Sequence, residues 1–164
     1  MVPLMENLHD MLSAAKWGAL IGVAIYLVSQ LITFISLTTL GAGPVDPSHP
    51  ARITLGCVGL LLIIFAFSAS GYYAGRETRQ AGYGAIAGMV TFAVYGALIS
   101  LYTYGGRASL TSGTVGEQVL VELVSVMLYL LVAALIGWLG GRPGASQARA
   151  RDARLAQQAT PPQQ

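Results

Sequence analysis

Gly71-Tyr72-Tyr73-Ala74-Gly75-Arg76-Glu77-Thr78-Arg79-Gln80-Ala81-Gly82-Tyr83-Gly84-Ala85-Ile86-Ala87-Gly88 decides how this chain is read. A short charged segment, Arg76 to Gln80, separates two apolar runs whose facing ends are lined with glycine, which is the pattern of a tight turn in a membrane hairpin. Both halves recur. Tyr83-Gly84-Ala85-Ile86-Ala87-Gly88 echoes Trp17-Gly18-Ala19-Leu20-Ile21-Gly22, and Gly71-Tyr72-Tyr73-Ala74-Gly75-Arg76 echoes Gly137-Trp138-Leu139-Gly140-Gly141-Arg142. The offset is 66 residues in each case, residue 17 matching 83 and residue 71 matching 137, which points to a duplicated helical hairpin.

Working outward, the 164 residues are 54% hydrophobic and only 10% charged, whereas soluble domains carry roughly 25% charged residues. Four apolar runs, at about 17–40, 53–75, 83–104 and 118–139, are each long enough to cross a bilayer, which takes about 20 helical residues. The expected fold is therefore an all-α integral membrane four-helix bundle of two tandem hairpins, 17–76 and 83–142, related by a pseudo-twofold axis along the membrane normal. One cysteine, Cys57, excludes an intramolecular disulfide and a cysteine metal site.

Residues 1–16 set Leu4, Met5, Leu8, Met11, Leu12 and Ala15 at helical spacing opposite Glu6, His9 and Asp10, which suits a short amphipathic helix along the membrane surface. The three prolines of Pro44 to Pro50 mark an exposed loop, and Thr114-Val115-Gly116-Glu117 has the form of a capping box opening the fourth helix. Pro143-Gly144 is expected to end that helix, leaving 143–164 as a disordered basic, Gln-rich tail. Basic residues are unevenly placed: Lys16, Arg76, Arg79, Arg142, Arg149, Arg151 and Arg154 on one side against Arg52 and Arg107 on the other. The positive-inside rule then puts both termini and the Arg76–Gln80 turn in the cytoplasm, in a cell inner membrane.

Every span carries a GxxxG at its cytoplasmic end: Gly18 and Gly22, Gly71 and Gly75, Gly84 and Gly88, Gly137 and Gly141. Lipid solvates leucine as well as a protein interior does, so small faces are expected to turn inward where helix backbones approach closely. Tyr26, Ser29, Thr33 and Ser36 continue the stripe of the first span, Gly56 and Ser68 that of the second, Thr91, Tyr95 and Tyr102 that of the third, and Ser125, Tyr129 and Ala133 that of the fourth. Ordinary packing within the bundle is the plain reading of these glycines; a gate or an oligomer interface is the alternative.

Glu122 is the acidic residue placed clearly inside a span, and such carboxylates mark ion or proton sites by default. The plainer alternative places it one turn below the outer surface, reaching the headgroups or paired with Arg52. Asp46 and His49 offer two ligands where zinc takes three or four. The sequence shows no phosphate loop, partnered nucleophile, haem motif or nucleic-acid surface, so no cofactor and no nucleic acid is expected.

The pattern glycine-aromatic-x-small-glycine-arginine, a short turn, then aromatic-glycine-alanine-x-x-glycine resembles uncharacterised prokaryotic four-span small membrane proteins of domain-of-unknown-function type. That resemblance covers the spans and the inner turn and implies no catalytic residues. Small multidrug transporters are similar in span number, but their essential carboxylate lies on the first helix, where this chain has none. The expected function is a non-enzymatic, multi-pass structural or accessory subunit in the lipid bilayer, associating with itself or a larger membrane protein; the alternative is a small ion channel or ion-coupled transporter using Glu122.

Overall fold

The computed structural model describes residues 2–40, 50–106 and 115–159. They form four helices in chain order: α1 (Val2–Leu40), α2 (Pro50–Thr78), α3 (Gly82–Gly106) and α4 (Val115–Ala159). All four are long and apolar enough to cross a membrane. The loop calls at Pro44, Asp46, His49, Arg107 and Thr114 lie outside the described residues.

Burial is inverted relative to a protein dissolved in water. The buried set consists mostly of small or hydroxylated side chains, Ala14, Ala66, Ala74, Ala87, Ala133, Ala145, Ser70 and Thr91 among them, while Leu31, Phe34, Leu61, Phe65, Leu101 and Leu131 are exposed. Large contiguous apolar surface is untenable in water. In hydrocarbon it costs nothing, and close backbone packing drives association instead.

The helices meet most closely at the end that holds the α2–α3 turn. α2 and α4 run parallel, and a Cβ on Gly71 or Gly75 would strike the carbonyl of Gly137 or Gly141. α3 joins the same junction, with Gly84 against Gly137 and Gly141 and Gly88 against Ala133 and Gly137. On the flank, Gly18 and Gly22 of α1 face Ala87, Val90, Thr91 and Val94 of α3. Towards the other end the backbones part: at Gly56, Gly59 and Gly96 a Cβ would meet nothing within 4 Å.

Three expectations are corrected here. The 1–16 segment is not a separate helix lying on the membrane, because α1 is unbroken from Val2 to Leu40. Nor does Pro143 end the last helix: α4 continues to Ala159 with Pro143 inside it. Proline removes one i→i−4 bond, but the turns beyond it are docked, with Ala145 fully buried, Gly144 against the Tyr72 carbonyl, and Tyr72 Oη donating to Gln147 Oε1 at 2.6 Å. Finally, the helices do not take the equivalent places that a pseudo-twofold gives. α2 and α3 touch, whereas among the described residues α1 and α4 do not, so α3 is central and α1 peripheral. Three residues, 79–81, link α2 to α3 and force them together; nothing comparable ties α4 to α1.

The inward stripes hold only in part. Gly18, Gly22, Thr91, Ala133 and the other glycine pairs are buried, but Thr33, Gly56 and Tyr129 are exposed. At the open end hydroxyls turn to their own helix, Thr33 bonding the Ser29 carbonyl at 2.9 Å and Ser29 that of Tyr26 at 2.7 Å. Buried Ser70 and Thr91 also bond carbonyls of their own helices, so hydroxyls on either half need no neighbouring helix for a partner.

Candidate functional site

The polar chemistry of the described residues gathers at the turn end, where the first turns of α1 and the last turns of α4 flank the α2–α3 turn. Arg79 adopts a left-handed conformation, φ 61°, as residues just past a helix C-terminus commonly do, although glycine is the usual occupant. Thr78 closes the turn: its hydroxyl donates to the Ala74 carbonyl at 2.8 Å, and the Gln80 amide donates to that hydroxyl at 3.4 Å. Arg79 Nε reaches Asp152 Oδ2 on α4 at 2.8 Å, both side chains being largely exposed.

Two further ties join the other helices. Trp17 of α1 donates its indole N–H to the Glu77 carboxylate of α2, and its ring stacks on Tyr73 with centroids 4.7 Å apart. Tyr83 of α3 donates to Asn7 Oδ1 of α1 at 3.4 Å. Glu77 therefore holds α1 to α2 just as Asp152 holds α4 to the turn. Each tie is exposed and individually weak, but together they connect all four helices at one end.

Two hollows lie along the α2–α4 seam. One is an apolar groove of about 350 Å³, lined by Phe65, Ser68, Ala69, Tyr72, Gly140 and Pro143, with Tyr73 at its edge. Directly beyond it, a polar cleft of about 520 Å³ is lined by Arg76, Glu77, Arg79, Gln147, Arg151 and Asp152. The Tyr72–Gln147 hydrogen bond stands between them, one partner in each wall. A smaller apolar cavity, about 40 Å³, lies between α1, α2 and α3 near Ser29, Gly59 and Tyr95.

The eight GxxxG glycines come together at the junction, α1 at its flank. Glu122 and Arg52 fall on α4 and α2, but their side chains lie outside the described residues. Among the described residues, no three His, Cys, Asp or Glu side chains are grouped as metal ligands. The reading from sequence missed Gln147 and Asp152, having placed both in an unfolded tail. A signal was there: Gly137, Gly141, Gly144, Ala148 and Leu155 continue a helical stripe straight through Pro143. Compared with models of protein families, with characterised proteins and with solved structures, the chain matches none.

Proposed function

We propose that this is a non-enzymatic multi-pass membrane protein, a structural or accessory subunit that associates with itself or with a larger membrane protein through its apolar outer face. One observation carries the reading: the bundle is locked at the turn end by backbone-to-backbone glycine contacts and four-helix polar ties, and along the rest of the described helices many leucine, valine and phenylalanine side chains are exposed. Because the GxxxG faces are used inside the bundle, a partner meets the outer face, and the splayed half around Gly56, Gly59 and Gly96 leaves helix backbone open to close approach. The basic residues concentrated at the turn end support a cytoplasmic placement of both termini. The register of Gly71 on Gly137 and Gly75 on Gly141, each glycine on its counterpart in the repeat, supports a duplicated hairpin as the origin of the bundle.

The test is photo-cross-linking in native membranes from a probe at Val58, an exposed position on the open half of α2. A discrete adduct, either a dimer or a stoichiometric partner, is expected. Adducts to lipid alone, with ion flux in liposomes that disappears in Glu122→Gln, would replace this reading with that of a channel or transporter.

A further inference from the structure

We propose that the α2–α4 seam at the turn end binds one anionic phospholipid, its phosphate held between Arg76 and Arg151 and an acyl chain laid in the groove above. This rests on the membrane reading and adds a ligand to it. The groove and the cleft follow one another along the same two helices: Phe65, Ala69 and Tyr72 lead down α2 to Arg76, and Gly140 and Pro143 lead down α4 to Arg151. Apolar walls followed by a basic mouth match the order of a phospholipid, chain first and headgroup last.

Charge selects the sign of the ligand. Within the cleft, Arg79 is paired with Asp152, and Glu77 accepts the Trp17 indole. Arg76 and Arg151 line the same cleft with no carboxylate partner among the described residues. The indole is neutral and leaves the Glu77 charge in place, so the three arginines of the cleft stand against two carboxylates, a net +1, and Arg76 and Arg151 are the guanidiniums outside an ion pair among the described residues that phosphate oxygens would engage. Tyr72 and Gln147, bonded to each other at the boundary between groove and cleft, supply the polar groups at the depth of a glycerol backbone.

The experiment uses the full chain, purified from carbonate-washed membranes and titrated in mild detergent with phosphatidylglycerol or phosphatidylcholine, bound lipid being counted by native mass spectrometry. Wild type is expected to prefer phosphatidylglycerol. Arg76→Gln with Arg151→Gln is expected to weaken its binding about 30-fold, the share of two basic residues facing an anionic headgroup. Arg149→Gln with Arg154→Gln removes the same charge from α4 outside the cleft and is expected to change it little. Ala69→Phe fills the groove without altering charge and is expected to weaken binding as well. Equal losses from the two double variants, unchanged binding in the cleft variant or in Ala69→Phe, or displacement of the lipid by millimolar inorganic phosphate would each overturn the proposal. Should the cleft double variant lose thermal stability, Arg151→Gln alone, on the exposed end of α4, carries the comparison. Failure of the membrane reading shows separately, as wild-type protein extracted by the carbonate wash.

Discussion

Gly137→Ala tests the packing where α3 meets α4. A Cβ at this position meets the Gly84 carbonyl oxygen, with Gly88 Cα at 3.0 Å and Gly88 N at 3.1 Å. All three are backbone atoms of α3, so no rotamer change relieves the clash and α3 must move off α4 by roughly 1 Å to restore ordinary contact. Overpacking of this kind costs about 1–3 kcal/mol. Against it stands the gain from replacing a helical glycine, about 0.5–1 kcal/mol. The steric cost outweighs the gain over most of these ranges, leaving a net loss of about 1 kcal/mol and at most ~2.5 kcal/mol, and the displacement spreads because Gly71 of α2 also rests on Gly137. Gly96→Ala is the matched control: nothing lies within 4 Å of its Cβ, so only the helical gain remains and stability should hold or rise. Reversible unfolding in mixed micelles, titrated with a denaturing detergent, measures both. Gly137→Ala as stable as wild type, or Gly96→Ala as damaging as Gly137→Ala, would refute the claim that these backbones touch.

Gly88→Leu should lower the thermal midpoint in detergent more than Leu61→Ala does, because the first drives a side chain into the Ala133 carbonyl while the second trims a residue that is 65% exposed. Truncation after Gly144 should reduce helical circular dichroism and thermal stability together, since it removes the partners of Tyr72 and Arg79; an unstructured tail would leave both unchanged. In a Cys57→Ser background, Ser48→Cys and Ser112→Cys should react with an impermeant thiol reagent on intact cells and Ser146→Cys should not. The opposite pattern would reverse the proposed orientation.

The sequence by itself determined the number of long apolar helices and most of the glycines at which they meet, because each is a local property. Hydrophobic length sets a span, and a glycine pair one helical turn apart marks a close approach whichever helix supplies the other side. Tertiary structure decided which helix that was. Gly84 and Gly88 repeat Gly18 and Gly22 residue for residue, yet the former pack on α4 and the latter on α3, since the short turn fixes α3 beside α2 and leaves α1 outside. It also decided where α4 ends: proline stops a helix locally, but contacts from Gly144, Gln147 and Asp152 to α2 and its turn hold the chain helical beyond it. The cleft depends on that extension. Arg76 was visible as a basic residue of the turn, but Arg151 comes to face it only because α4 continues past Pro143, a juxtaposition set by long-range packing that no local window of sequence contains.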